Sequence, residues 1–291
     1  MWQGGIGMGR SYESHFVAVG GEELHVRTLG DPQLPHLFCV HALTRSGRDF
    51  DHVAQAFKDQ FFVVMPDLPG RGLSTWSKTP EETYRLPRYA EQMAHLMDHF
   101  GSHHVFWLGS SLGGLIAIYG AEEVLRGRLA AIILNDVGPE IPEETAQLIA
   151  DYTANPKIFD RPSDMLDHVQ EMYQLFGVQT EQEWKIFLRR SLRRTDDGRY
   201  TFQHDPHVVL GLQKYAADYE LRDKFAAISV PIMLIHGALS TLVTDSHVAD
   251  MRAMQPSMEY ARIEGRGHAP YLDTPEQQDI IREFLAMQLA K

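Results

Sequence analysis

The sequence predicts an α/β protein with a mostly parallel sheet of roughly eight strands, flanked by helices, and a helical cap inserted after the sixth strand. Two observations predict this fold class. Short apolar runs bounded by turn residues alternate with helical patterns, which is typical of a parallel sheet covered on both faces. One stretch, from about 137 to 229, interrupts this alternation with helical patterns alone. The 291 residues suffice for one large α/β domain with a modest insertion.

The first part of the chain contains six predicted strands. Gly20 and Gly21 separate the first two, which indicates an N-terminal hairpin. The strands are predicted at 17–19, 24–28, 36–41, 61–65, 105–108 and 130–134. A period near 3.6 residues predicts helices between them at 49–57, 86–100 and 112–125.

The second part begins with the segment that lacks core strands. Helices are predicted there at 143–152, 165–176, 181–192 and 207–225, followed by strands at 231–235 and 259–263 and a closing helix at 275–289. A helical insertion in an α/β chain suggests a cap over the active-site end of the sheet. We therefore expect a core formed by 1–136 and 230–291 and a helical cap formed by 137–229.

Charge and cysteine content restrict the class of partner. The formal net charge of −12 disfavours nucleic acid and anionic membranes as partners. The one cysteine, Cys39, lies in an apolar run and is interpreted as a buried strand residue, and no intramolecular disulfide is possible. Residues 1–7 lack a signal-peptide pattern, and no run approaches the ~18 apolar residues of a membrane helix. We expect a cytoplasmic protein, either a monomer or a dimer.

The strongest chemical signal lies where a predicted strand meets a predicted helix. Gly109-Ser110-Ser111-Leu112-Gly113 follows an apolar strand and opens a helix. So tight a turn strains the backbone of its central serine, and the residues two positions either side must lack side chains. The hydroxyl then stands at a helix N-terminus, where the helix dipole favours negative charge. The pattern predicts Ser111 as nucleophile, since Ser110 lacks the glycine spacing.

A serine nucleophile needs a base, which position must select among 15 histidines. His268 stands in Gly-Arg-Gly-His-Ala-Pro at 265–270, between the last predicted strand and the last predicted helix. That loop lies at the same end of the sheet as the nucleophile turn, and its glycines let the imidazole reach inward. We predict His268 as the base.

These motifs resemble the α/β-hydrolase superfamily. His-Ala-Leu at 41–43, Pro-Asp-Leu-Pro-Gly-Arg-Gly-Leu-Ser at 66–74, the nucleophile turn and Gly267-His268 follow the family's order and spacing over nearly the whole chain. The chain most resembles the capped esterase, lactonase and carbon–carbon hydrolase group. The resemblance implies an oxyanion hole formed by the backbone N–H groups of Leu43 and Leu112. Ala42 stands where the family usually has glycine, which limits the loop to backbone conformations that alanine adopts.

The carboxylate that orients the base has more than one candidate. In the family it commonly follows the seventh strand in a pattern like Gly-x-x-Ser-Asp, and here Thr241 stands at that position. Asp136 ends the sixth strand, which neighbours the nucleophile strand at about 4.8 Å. Asp245 is a second replacement, although it also suits a helix N-terminus. A third reading leaves a weakened dyad of Ser111 and His268. We favour Asp136.

The predicted activity is hydrolysis of small to medium carboxylic esters through an acyl-enzyme. Met165, Tyr173, Phe176 and Phe187 of the predicted cap are expected to line the substrate pocket. We expect no cofactor, and no metal, because the histidine pairs in the sequence lack a matching third ligand. Carbon–carbon bond hydrolysis or lactone opening on the same scaffold is an alternative. A catalytically weakened, ligand-binding homologue is another, which Thr241 keeps open.

Overall fold

The structure, a computed structural model, describes residues 11–178 and 180–290. The segment 1–7, whose sequence predicts no signal peptide, lies outside the described residues. In chain order the strands are β1 (Glu13–Val19), β2 (Glu22–Leu29), β3 (His36–Val40), β4 (Phe62–Pro66), β5 (Val105–Ser110), β6 (Leu129–Asn135), β7 (Leu192–Arg194), β8 (Tyr200–Phe202), β9 (Ile232–Gly237) and β10 (Glu259–Ile263).

Helices separate most of these strands. They are α1 (Asp51–Phe57), α2 (Pro80–Thr83), α3 (Leu86–His99), α4 (Leu112–Ala121), α5 (Glu143–Ala154), α6 (Pro162–Met172), α7 (Glu181–Ser191), α8 (Leu210–Lys214), α9 (Arg222–Ala227), α10 (Asp245–Met254) and α11 (Pro275–Leu289). Among the described residues, no helix has the length and apolar character needed to span a bilayer.

Eight strands form one sheet in the order β1-β2-β4-β3-β5-β6-β9-β10. β1 and β2 form the expected antiparallel hairpin, and β2 pairs antiparallel with β4. The remaining neighbours are parallel, so the predicted fold class is confirmed. Because β5, β6 and β9 are successive neighbours, the loops that follow their carboxyl ends meet at one edge of the sheet.

The core occupies both faces of this sheet. One buried cluster joins the sheet to α3, α4, α9 and α10, and the other joins it to α1 and α11. Successive residues of β5 point to opposite faces, so Trp107 belongs to the first cluster and Phe106 to the second. β5 is therefore fixed from both sides, and the turn that follows it is held in place.

The segment between β6 and β9 contributes no strand to the main sheet. It contains α5 to α9 and contributes most of a third buried cluster, which Tyr271 also joins. Two differences from the sequence prediction appear here. The short antiparallel pair β7–β8 was not predicted, and the single helix predicted at 207–225 is broken into α8, α9 and two 3₁₀ turns. The break begins after Lys214, where Tyr215 leaves the helical conformation with φ −127° and ψ 53°.

Candidate active site

The turn between β5 and α4 holds Ser111 in a strained conformation, with φ 49° and ψ −113°. The flanking glycines make this turn possible. A Cβ on Gly109 would lie 2.4 Å from the backbone of Gly113, and a Cβ on Gly113 would lie 2.0 Å from the carbonyl oxygen of Val40. No larger residue fits at either position without backbone movement, so the turn has the geometry that the sequence motif predicts.

His268 lies directly against this serine. Its Nε2 is 3.0 Å from Ser111 Oγ, which is hydrogen-bonding distance for proton transfer. The loop after β10 brings the imidazole to this position, and the side chain keeps about a quarter of its surface exposed. The structure thus brings together the two residues that the sequence predicts as nucleophile and base.

Asp136 follows β6 and completes a hydrogen-bonded chain. Its Oδ2 is 2.8 Å from His268 Nδ1, and its side chain is fully buried. The same carboxylate accepts hydrogen bonds from the amide of Gly237 at 2.8 Å and from the hydroxyl of Ser240 at 2.6 Å. Its φ of 55° is a conformation that aspartate tolerates better than most residues. Three donors therefore surround one buried negative charge.

The other acid candidates lie elsewhere. Asp245 begins α10, pairs with Arg262 at 2.6 Å and keeps 77% of its side chain exposed. Thr241 lines the cavity beside the nucleophile rather than contacting a ring nitrogen of the base. The carboxylate of Asp136 contacts the imidazole of His268, whereas the alternative of a dyad has no carboxylate there.

Leu43 and Leu112 both border the cavity that contains Ser111. Leu112 is the first residue of α4, so its N–H has no intrahelical acceptor. Across the described residues, neither amide donates to another protein group. Both N–H groups are thus available to a substrate oxygen.

Two buried side chains hold the loop that carries Leu43. His41 Nδ1 donates to the carbonyl oxygen of Ala42 at 2.7 Å, while its Nε2 accepts from the amide of Leu68 at 2.9 Å. Arg71 Nε donates to the carbonyl oxygen of Leu43 at 2.7 Å. Burial, together with the charge of Arg71, lowers the pKa of His41 to about 4, so this ring is neutral at pH 7. These hydrogen bonds fix the carbonyl groups of Ala42 and Leu43.

Ala42 fits this loop without strain. The non-glycine residues with positive φ in the described part of the chain are Ser111, Asp136 and Leu272. Ala42 is not among them, so it does not require the conformational freedom of glycine.

The catalytic cavity has a volume of about 520 Å³. Tyr173 and Phe176 both line it. Met165 and Phe187 do not, and this expectation is corrected. Both are almost fully buried in the cluster inside the inserted segment, where Phe187 packs against the ring of Tyr173 with centroids 5.1 Å apart. Their large apolar side chains support the cavity wall from behind.

Several supporting residues were missed by sequence reasoning. Arg71 lies in the motif at 66–74 and Ser240 precedes Thr241, but neither was assigned a role, because each role depends on long-range contacts. Asp67, which lies in the same motif as Arg71, accepts hydrogen bonds from His25 at 2.8 Å and from the amide of Gly47 at 2.8 Å.

A reactive thiol and a metal-binding cluster are two further kinds of chemical site. Cys39 is fully buried in β3, where burial raises the pKa of its thiol. Across residues 11–178 and 180–290, no three His, Cys, Asp or Glu side chains converge in a group that could hold a metal ion.

Comparison with known proteins places this site in a family. The family model described as the alpha/beta hydrolase fold matches residues 35–275. A 3-hydroxybutyrate-oligomer hydrolase of Cupriavidus necator is 32% identical, over 88% of this chain and 90% of that protein. A pimeloyl-[acyl-carrier protein] methyl ester esterase of Vibrio cholerae is 23% identical, over 82% and 89%.

A solved structure agrees with these sequence matches. The crystal structure of an alpha/beta hydrolase from Novosphingobium aromaticivorans superposes with a TM-score of 0.82 and 28% identity, covering 96% of this chain and 98% of that chain. The strained serine turn, the adjacent imidazole, the sheet order and these matches agree with one another. The chain belongs to the α/β hydrolase fold family.

Proposed function

We propose that this protein is a serine hydrolase that cleaves small to medium carboxylic esters through an acyl-enzyme. The observation that carries the proposal is the hydrogen-bonded chain from Ser111 Oγ through His268 to Asp136. The relatives support it, since their names describe the hydrolysis of hydroxybutyrate oligomers and of a methyl ester.

The acylation half-reaction uses the residues around the serine. His268 Nε2 accepts the hydroxyl proton of Ser111 as Oγ attacks the ester carbonyl carbon. The amides of Leu43 and Leu112 then donate hydrogen bonds to the oxyanion, and removing one donor of this kind costs roughly 3 to 4 kcal/mol. The imidazolium donates its proton to the leaving alkoxide oxygen, the carbon–oxygen bond breaks, and the serine remains acylated.

Deacylation repeats these steps with water. His268 Nε2 accepts a proton from the water as its oxygen attacks the acyl carbon, and the imidazolium returns that proton to Ser111 Oγ as the acid departs. Throughout the cycle, Asp136 accepts a hydrogen bond from Nδ1–H. This contact keeps Nε2 free of hydrogen in the resting enzyme and stabilises the imidazolium when it forms.

The inserted segment supplies part of the substrate pocket. We propose that 137–229 acts as a cap on a core formed by 1–136 and 230–291. Tyr173 and Phe176 from this segment line the cavity together with apolar core residues such as Leu115. A cavity of about 520 Å³ lies within the usual range for small-molecule sites, which supports a substrate of small to medium size.

Partners and location form a separate part of the proposal. The net charge of −12 supports a small-molecule substrate without nucleic acid or an anionic membrane as partner. A single buried cysteine is compatible with a reducing compartment, which supports a cytoplasmic location. The protein would act as a monomer or a dimer.

Turnover of p-nitrophenyl esters of increasing acyl length tests the proposal. We expect the wild type to hydrolyse the short and medium esters and Ser111→Ala to lose turnover by at least about 10³-fold. Ser110→Ala is the matched control, because it removes the neighbouring hydroxyl and should retain turnover. Equal loss in both variants would contradict the assignment. Absence of turnover in the wild type would favour the ligand-binding or carbon–carbon hydrolase alternatives.

A further inference from the structure

A second cavity of about 220 Å³ adjoins the catalytic cavity. We name it the side chamber. The residues that line both cavities are Thr44, Tyr152, Lys157, His168, Met172 and Tyr173. Asn155, Phe202 and His204 complete the side chamber. Thr44 directly follows Leu43, so the side chamber lies next to the loop that offers its amide to the oxyanion.

The side chamber carries several polar groups on a mostly apolar wall. An ammonium group, an amide and two imidazoles contribute to its wall, from Lys157, Asn155, His168 and His204. His204 is 2% exposed, and within the described residues its Nδ1 has no hydrogen-bond partner. Its Nε2 lies 3.4 Å from the carbonyl oxygen of Thr153. Buried polar groups left without partners are uncommon, which points to a polar ligand.

Lys157 gives the side chamber a positive charge. Within the described part of the chain, no carboxylate lies at ion-pair distance from its ammonium. By contrast, the cation of Arg45 on the adjoining wall is neutralised by Asp49, with Nε and Nη2 at 2.6 and 2.7 Å from the two carboxylate oxygens. Glu171 lines the catalytic cavity and does not line the side chamber.

The ammonium of Lys157 acts on His168, which lines both cavities. Partial burial and, second, the nearby ammonium of Lys157 lower the pKa of His168, while Glu171 opposes the shift. The imidazole of His168 and the ammonium of Lys157 thus both line the side chamber, whereas Glu171 lines only the catalytic cavity. An anionic group bound here would accept a charge-assisted hydrogen bond from the ammonium of Lys157 and a further hydrogen bond from the imidazole N–H of His168.

We propose that the side chamber binds a free carboxylate carried by the ester substrate, with Lys157 as its principal charge partner. The substrate is then an ester with an apolar body in the catalytic cavity and an acid group at one end. A linear oligomer of a hydroxy acid has this composition, as does a half-ester of a dicarboxylic acid. This proposal rests on the ester hydrolase activity proposed above and adds the class of ester.

Two substrate pairs test the proposal, one for each side of the ester bond. Mono-p-nitrophenyl adipate is compared with p-nitrophenyl hexanoate, which has the same acyl length without the charge. 3-Acetoxybutyrate is compared with its methyl ester, and acetate release is measured. We expect kcat/KM to favour the charged member of at least one pair by about tenfold, which corresponds to about 1.4 kcal/mol. No preference in either pair would overturn the proposal.

Lys157→Met then assigns the preference to the side chamber. This substitution keeps the side-chain length at an exposed position, so the fold should persist, and the charged-to-neutral ratio should fall about tenfold through KM. Lys185→Met is the matched control, because Lys185 lies on α7 in the same inserted segment and is already paired with Glu181. An unchanged ratio in Lys157→Met would overturn the assignment. Failure of the wild type to hydrolyse p-nitrophenyl hexanoate would instead count against the ester hydrolase activity itself.

Discussion

Replacing Asp136 by asparagine changes one oxygen to an NH₂ group and nothing else in shape. The carboxylate has two distinct duties, since Oδ1 accepts from the Gly237 amide and Oδ2 accepts from Ser240 and His268. An asparagine that keeps its oxygen toward Gly237 places its NH₂ group against His268 Nδ1. The imidazole must then present Nδ1 as an acceptor and carry its hydrogen on Nε2, facing Ser111. In this tautomer it cannot take the serine proton.

The opposite orientation of the asparagine is also costly. It would place two donors against each other at the 2.8 Å contact with Gly237, inside a fully buried site. An unsatisfied buried donor costs about 1–3 kcal/mol, so the first orientation is favoured. The corresponding tautomer error in serine proteases lowers kcat by about 10⁴-fold, or about 5.5 kcal/mol. We expect a loss of that order in Asp136→Asn.

Turnover of a p-nitrophenyl ester measures the loss, with thermal unfolding recorded alongside to show that the variant folds. Asp245→Asn makes the same chemical change at an exposed site whose partner is Arg262, and it should retain turnover within about twofold. The reasoning is refuted if Asp136→Asn keeps more than a tenth of wild-type kcat/KM, or if Asp245→Asn is the variant that loses activity.

Three more predictions concern the turn at Gly113, the loop held by Arg71 and two buried histidines. Gly113→Ala should lower the free energy of unfolding by roughly 3 kcal/mol, because its Cβ would lie 2.0 Å from a β3 carbonyl oxygen; urea unfolding checks this. Arg71→Met should lower kcat roughly 10- to 100-fold with little change in KM, because the Leu43 carbonyl loses the hydrogen bond that fixes it. Steady-state kinetics on the folded variant check this, and an unchanged kcat would contradict it. Burial, the largest cause at both sites, lowers the pKa values of His41 and His204 to about 4, below the unfolded value of 6.5. Between pH 4 and pH 6.5 the unfolded state therefore binds more protons than the folded state. The free energy of unfolding should fall from pH 6.5 toward pH 4 by up to about 3 kcal/mol for each ring. Equal urea midpoints at pH 7 and pH 4.5 would exclude this.

The sequence predicted the parts of the site that depend on local pattern. The strained turn at Ser111 follows from glycine spacing between a strand and a helix. Asp136 was favoured because its strand was expected to neighbour the nucleophile strand, and β5 and β6 are indeed adjacent in the sheet. Strand order and turn chemistry were thus sufficient for these residues.

Other features depend on contacts that no local pattern encodes. The sequence identified Phe187 as an apolar residue of the predicted cap, but it could not tell the buried cluster from the cavity wall. Arg71 reaches Leu43 across 28 positions of sequence, and Ser240 reaches Asp136 across 104. The helix predicted at 207–225 is interrupted at Tyr215, where the backbone leaves the helical conformation although the apolar periodicity continues.

The central claim is that Ser111 is an activated nucleophile, and covalent labelling tests it most directly. The wild type is treated with a fluorophosphonate, and the intact mass and the modified peptide are determined. We predict one adduct per chain, located on Ser111, with labelling strongly slowed in Asp136→Asn and preserved in Ser110→Ala. A chain that gains no adduct, or that carries it on Ser110, would contradict the account.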